Sequence, residues 1–306
     1  MSRILVTGRN GQVGFELRRS LAGLGQVIAV GRDELDLADA GAIRRKVRET
    51  RPDLIVNAAA YTAVDLAESE QELAQAINGV APGILAEEAK RLGAALVHYS
   101  TDYVFDGSKG APYTEDDAPR PLSVYGRTKL AGERAIQAVD VPHLILRTSW
   151  VYGTRGKNFL LTILRLARER EELSIVDDQV GAPTWSRAIA EATGEILKHL
   201  GYGQPAFRDA CAIRRGIYNL TAAGQTSWHG FAAVILAHAA SARPGQSEFA
   251  LARIPVLKPI TTEQYPTPAL RPRYSVLANA KVQRAFGVAL PDWKASLAEC
   301  MSSVDR

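Results

Sequence analysis

Tyr125 and Lys129 stand four residues apart in the string SVYGRTKLAGE, residues 123–133. On a helix that spacing puts both side chains on one face, within reach of a single bound molecule. Just upstream, HYSTDYVF (98–105) ends an apolar run in Ser100, Thr101 and Asp102. A phenol, an ammonium and a hydroxyl together suit the reduction of a ketone. Hydride added at a carbonyl carbon leaves an alkoxide, and that oxygen needs a proton. A tyrosine of pKa about 10 can donate it if a cation lowers that value. At about 4 Å and an effective dielectric of about 20, a unit charge contributes about 4 kcal/mol, on the order of three pKa units at most. This predicts a Tyr125 shifted towards neutrality by Lys129, with Thr101 binding the oxygen as it gains charge. Tyr-x-x-x-Lys also arises by chance in helices, so the surroundings decide.

The surroundings include a phosphate loop. TGRNGQVG places Gly8, Gly11 and Gly14 after a predicted strand and at the start of a predicted helix. Glycine there permits a tight turn and a close approach of backbone to a pyrophosphate, and the helix N-terminus offers N–H donors. The spacing is G-x-x-G-x-x-G, not that of ordinary dehydrogenases. The second strand runs into Gly31-Arg32 with no acid at its tip. An acid there would bind a ribose 2′-hydroxyl, whereas a cation accommodates a 2′-phosphate. The expected cofactor is therefore NADPH, with NADH as the alternative and Arg32 facing the phosphate. Arg32 is equally at home as a solvated turn arginine, since Asp33 and Glu34 follow it.

The elements that must position these groups alternate. Apolar runs at 3–8, 26–31, 54–60, 95–101 and 143–149 are separated by helical stretches at 12–24, 40–50, 80–92 and the Tyr125 segment. This predicts an α/β, Rossmann-type, doubly wound parallel sheet buried on both faces. Beyond residue 150 the pattern loosens. Helices are expected at 157–172, 185–199, 226–240 and 291–303, short strands near 174–176 and 217–220, and irregular stretches at 242–247 and 265–273. We divide the chain into a cofactor-binding domain, 1–150, and a smaller C-terminal lobe, 151–306, that mainly binds substrate and crosses back to the first domain.

The 306 residues carry a net charge of +4 with 46% hydrophobic and 23% charged residues, an ordinary globular balance. No Lys/Arg-rich run points to nucleic acid, and no apolar stretch is long enough to span a bilayer. Two distant cysteines, Cys211 and Cys300, exclude a disulfide framework and favour a reduced, cytoplasmic setting. The five histidines form no metal-binding cluster, and no catalytic metal is expected.

These motifs resemble the extended branch of the short-chain dehydrogenase/reductase superfamily, which acts on nucleotide sugars. Six strings in order sharpen the resemblance: VNAAAYTAVDLAE, HYSTDYVFDG, VYGRTKLAGE, LRTSWVYG, DDQVGAPT and YPTPALRPRYS. They resemble the members that reduce the 4-keto group of dTDP-6-deoxy-L-lyxo-4-hexulose to give dTDP-L-rhamnose. By that resemblance Gly11, Gln12, Val13, Asp36, Leu37, Ala60, Tyr61, Thr62, Tyr125 and Lys129 touch the cofactor. Thr101, Asp102, Tyr125 and Trp150 meet the sugar, and Asn78 takes the place of the helix asparagine of a catalytic tetrad. The implied partner is a dTDP-sugar, and the implied assembly a monomer or homodimer. Some members are described as using Mg²⁺, for which Glu16 is a conceivable contributor here.

Plainer roles stand beside these. Trp150 suits a core position as well as the packing of a deoxy sugar's methyl group, and Asp102 suits a turn cap as well as the tuning of Tyr125. Asp177, Asp178 and Gln179 suit a solvated loop, and Arg271 and Arg273 a surface as well as a diphosphate. His98 lies in an apolar strand and reads as structural. Related alternatives are an epimerase or dehydratase of the same superfamily, or a regulatory subunit of this fold that has no catalysis.

Overall fold

The computed structural model describes residues 2–242 and 248–302. Five strands, β1 (Arg3–Thr7), β2 (Gln26–Val30), β3 (Leu54–Asn57), β4 (Ala95–Thr101) and β5 (His143–Thr148), form a parallel sheet. A sixth strand, Gly216–Asn219, joins it beside β5, so a segment of the second half completes the sheet of the first. The spatial order is β2-β1-β3-β4-β5 and then Gly216–Asn219.

Alternation sends successive residues of each strand to opposite faces. Val6, Val56, Val97 and Leu146 pack on one side with Leu17, Leu21 and Ile189. Leu5, Ile55, Leu96 and Ile145 pack on the other with Ile43, Val47 and Leu85. Burial on both sides explains why β3 and β4 contain no exposed residue.

The connecting helices are α1 (Gln12–Ser20), α2 (Ala40–Thr50), α3 (Gln71–Ala74), α4 (Ala81–Leu92) and α5 (Val124–Gln137). Helix α1 stops four residues short of expectation, in a turn leading through Gly23 and Gly25. A π-helical turn, Gln75–Val80, precedes α4. Helices Phe207–Ile213 and Ala280–Phe286 go beyond what the sequence pattern predicts. So does strand Val256–Ile260, which pairs with Glu172–Val176. Most of the irregular stretch expected at 242–247, and residue 303 of the last expected helix, lie outside the described residues.

Helix α5 is locked onto β5 by an ion pair in the interior. Arg147 donates from Nε to Glu133 Oε1 (2.9 Å) and from Nη2 to Oε2 (2.6 Å), and both side chains are 1% exposed. Removing one partner of such a pair leaves a buried charge uncompensated, at a cost of about 3–5 kcal/mol. Glu133→Gln should therefore lower the unfolding free energy by about 3 kcal/mol, read from urea denaturation. A loss below about 1 kcal/mol would show that the pair contributes little.

Candidate active site

The strand order reverses between β1 and β3, and ligands of open α/β sheets bind at the carboxyl ends of the strands beside such a reversal. The glycine loop lies there. Gly8 adopts φ +75°, a left-handed conformation, and its carbonyl accepts from Gly11 N–H (2.8 Å). A Cβ on Gly14 would stand 2.1 Å from the Gly8 oxygen, so this turn closes only around glycine. Gly11 caps α1 with no side-chain hydrogen bond, which leaves the first N–H groups of the helix to a ligand. That bare, glycine-walled N-terminus fits a dinucleotide pyrophosphate. Gln12 ties the loop to the segment that follows β5, donating to the Val151 carbonyl (3.3 Å) and accepting from Asn158 (3.0 Å).

At the tip of β2, Arg32 points outward, with a side chain 76% exposed and Asp36 at 3.9 Å. Arg9 holds the inner position. Its guanidinium pairs with Asp33 (2.8 Å) and with Glu34, and it lies 3.3 Å from where a Cβ of Gly31 would be. Leu37 is buried in the core beside Leu35, while Asp36 bonds the Ala38 N–H (2.9 Å).

Along β4 and α5 the expected groups converge. Ser123 caps α5, accepting from Gly126 N–H (3.2 Å), and a Cβ on Gly126 would meet the Tyr103 carbonyl at 2.2 Å. The helix is thereby pressed against the segment that follows β4, which brings Tyr125 to Thr101. Thr101 Oγ1 donates to Asp102 Oδ1 (3.0 Å) and accepts from the Tyr103 N–H (3.1 Å). The rings of Tyr103 and Tyr125 meet edge to face at 5.9 Å.

Burial dominates the electrostatics. It pushes the Tyr125 phenol up to about 12, against hydrogen bonding with Thr101, which lowers it. The expected acidification by Lys129 is not found in the free protein. The Lys129 ammonium is engaged elsewhere, donating to the Tyr99 carbonyl (2.6 Å) and lying 3.2 Å from His98 Nε2. Burial brings Lys129 down to about 8, with Glu133 acting the other way. Burial also raises Asp102 to about 7, against hydrogen bonds from Ser275 and Thr101. Ser100 Oγ and Thr148 Oγ1, at the ends of β4 and β5, are buried without a hydrogen-bond partner.

Asn78 sits in the π-helical turn and gives its amide to the loop over the site. Its Oδ1 accepts from Tyr61 N–H (2.9 Å), and its Nδ2 donates to the Tyr61 carbonyl (3.0 Å) and to Thr128 (3.3 Å). Tyr61, next to Ala60 and Thr62, packs with Tyr125 and Val124. Asn78 thus shapes the wall through Tyr61.

Trp150 adopts φ +46°, which a non-glycine residue holds only under constraint. Its indole stacks on Trp228 at 3.5 Å and 4°. A Cβ on Gly181 would come within 2.4 Å of the same indole. One face of Trp150 is therefore already covered by a residue that no motif identified. Gln179 accepts from Trp228 Nε1 (3.2 Å) and donates to Thr262 (3.1 Å), and Asp178 accepts from Thr262 N–H (2.9 Å). Asp177 accepts from Ser227. The loop of Asp177, Asp178 and Gln179 fastens the tryptophan stack. Arg271 makes a two-point pair with Asp65 (2.8 and 3.1 Å), whereas Arg273 is exposed and pairs with Glu263.

Glu16 pairs with Arg187 at 3.3 Å, and among the described residues no group of three or more His, Cys, Asp or Glu could hold a metal ion. Nor is any helix among them long and apolar enough to cross a membrane.

Comparison with known proteins agrees with this fold. The model of a family described as RmlD substrate binding domain matches residues 1–306. The chain is 52% identical over 301 residues to dTDP-4-dehydrorhamnose reductase of Burkholderia thailandensis, covering 98% of each chain. It is 44% identical to the dTDP-4-dehydrorhamnose reductase of Escherichia coli K12, over 98% of this chain and 97% of that one. It superposes on the crystal structure of dTDP-4-dehydrorhamnose reductase from Bacillus anthracis in complex with NADP with a TM-score of 0.87. That match covers 99% of this chain and 100% of the other at 32% identity.

Proposed function

The chain belongs to the RmlD substrate binding domain family, and from that membership we propose that Thr101, Tyr125 and Lys129 carry its reaction. It is an oxidoreductase of sugar-nucleotide ketones that uses a nicotinamide cofactor. It reduces the 4-keto group of dTDP-6-deoxy-L-lyxo-4-hexulose to give dTDP-L-rhamnose, as the name of its relatives states. The observation that carries the residue assignment is the meeting of Tyr125 with Thr101 at the carboxyl end of β4, with the buried Lys129 ammonium one helical turn further along α5.

When bound, the reduced nicotinamide supplies the hydride that the carbonyl carbon receives. The protein does the rest. The Thr101 hydroxyl, turning its one proton away from Asp102, donates to the carbonyl oxygen and holds it beside Tyr125. Tyr125, held protonated, passes its phenolic proton to that oxygen as it becomes an alkoxide, and the phenolate recovers a proton from solvent. Lys129 offers positive charge and an N–H to the cofactor's ribose. Asp102 tunes the acidity of Tyr125, and Trp150, held in its stack with Trp228, borders the sugar. Gly8, Gly11, Gln12, Val13 and Gly14 cradle the pyrophosphate. Asp36, Ala60, Tyr61 and Thr62 line the rest of the cofactor cleft, Leu37 with its backbone since its side chain is in the core, and residues 151–306 mainly supply the sugar side. Turnover of NADPH with this ketone in stoichiometric amounts tests the reading. A protein that retains tightly bound NAD and returns its hydride would be an epimerase or dehydratase instead.

We further propose NADPH as the preferred cofactor, with the 2′-phosphate in the corner of Arg9 and Arg32. Arg9 is the less exposed of the two cations, 30% against 76%, so Arg9→Ala should raise the NADPH KM about tenfold more than the NADH KM. Arg32→Ala should have a smaller effect, given its exposure. Equal changes for both cofactors in Arg9→Ala would remove Arg9 from the phosphate site.

A further inference from the structure

Thr7, Asn57 and His98 stand at one level of three adjacent strands. In the parallel register Thr7 is the partner of Asn57, and Asn57 the partner of His98. Their parity is that of Leu5, Ile55 and Leu96, so they share the face on which those residues pack. Thr7 is 2% exposed, and Asn57 and His98 1%. Three polar side chains in apolar strands are costly unless hydrogen-bonded. They are bonded in series: Thr7 Oγ1 to Asn57 Oδ1 (2.6 Å), Asn57 Nδ2 to His98 Nδ1 (3.0 Å), and His98 Nε2 to Lys129 Nζ (3.2 Å). The series starts on the residue before Gly8 of the phosphate loop and ends on the lysine of the reaction. The preceding assignments give His98 no task.

We propose that His98 is a positioning residue that holds the Lys129 ammonium for the reduction. The inference rests on the role given to Lys129 above. Two cations do not share a buried site 3.2 Å apart, so the ring is neutral while Lys129 is charged. Nε2 then accepts from the ammonium, and the ring proton sits on Nδ1. Nδ1–H needs an acceptor, which Asn57 supplies by turning its amide so that Oδ1 faces the ring and Nδ2 faces Thr7. With the amide turned the other way, the ring proton sits on Nε2 and faces a neutral amine. The hydrogen-bond direction along the series and the charge on Lys129 are thus linked. In the charged form His98 and the Tyr99 carbonyl take two of the three ammonium N–H bonds and leave one for a ligand.

Three variants separate positioning from packing. Glutamine places its amide near the position of Nε2 and asparagine near that of Nδ1, while leucine fills the space without polar atoms. His98→Gln should stay within about threefold of wild-type kcat, because it keeps an acceptor for Lys129. His98→Asn and His98→Leu should lose about 10²-fold in kcat, the size expected for misplacing a reacting group by about 1 Å, with the KM of the sugar nucleotide little changed. Wild-type kcat in His98→Asn and His98→Leu would overturn the inference. So would losses in all three that merely follow their melting temperatures. Should the variants not fold, ¹⁵N-histidine NMR of the wild-type protein decides the matter. A neutral ring with bare Nε2 at neutral pH supports the proposal, and a protonated ring or an Nε2–H sinks it. Lys129→Met is assayed alongside. If it remains active, the catalytic reading of Lys129 fails first and the inference falls with it.

Discussion

Tyr125→Phe is expected to abolish reduction, with kcat lowered by about 10³- to 10⁴-fold, the upper part of the range for a positioned proton donor. The substitution removes one hydroxyl and leaves the ring that packs against Tyr103 and Val124. Folding and NADPH binding should therefore persist, and the loss should fall on kcat and kcat/KM alike. The upward shift of the phenol to about 12 favours this role. A group that stays protonated at every working pH is always ready to donate, and an alkoxide is a far stronger base than a phenolate. Residual activity above about a tenth of wild type would assign the proton to another group. Asp102 is then next in line, since burial lifts its carboxyl to about 7 and keeps it partly protonated near neutrality.

How much of this could be read from the sequence depends on the range of the interaction. The strands were legible because burial on both faces demands unbroken apolar runs such as RILVT and LIVN. The phosphate loop was legible because its three glycines answer a local backbone requirement, visible in the 2.1 Å that a Cβ on Gly14 would leave. Tyr125 and Lys129 share a helix, so their common face followed from spacing alone. What depends on contacts between strands was hidden. His98 reads as an apolar-strand histidine until the register sets it beside Asn57 and α5 lays Lys129 against it. Trp228 carries no motif and becomes part of the site only through its stack on Trp150, 78 positions earlier in the sequence. The sequence points to Arg32 alone as the cation at the tip of β2, and Arg9 emerges only from the fold. Only the fold shows that one turns inward and the other lies 76% exposed. The expected acidification of Tyr125 failed for a similar reason. Spacing brings the two side chains to one face, but the Tyr99 carbonyl and His98 decide where the ammonium goes.

Lys129→Met should lose about a thousandfold in kcat, the lower end of the loss in Tyr125→Phe, and in a different pattern. Methionine preserves the length of the side chain and deletes its charge, so the effect is electrostatic more than steric. A unit charge at about 4 Å in an effective dielectric of about 20 contributes about 4 kcal/mol, which is about a thousandfold in rate. The N–H proposed to serve the cofactor's ribose is lost together with the charge, so KM for NADPH should rise as kcat falls, unlike in Tyr125→Phe. Wild type should show the same group by titration. Burial holds Lys129 near 8, below its ordinary range, and the active form is the charged one. Activity should therefore be sustained below about pH 8 and fall as pH rises through it. The profile of kcat/KM for NADPH reads the free enzyme, the state to which that value applies. The folding linkage has the opposite sense. A lysine whose folded pKa is depressed disfavours the native state at neutral pH, and that cost shrinks as pH rises through about 8 towards the unfolded value. Stability should accordingly hold or improve where activity declines, so a loss of rate above about pH 8 without a drop in melting temperature identifies the lysine. A profile flat to about pH 10 would mean that the ammonium keeps its proton and that the hold of the buried site on Lys129 is weaker than its surroundings indicate.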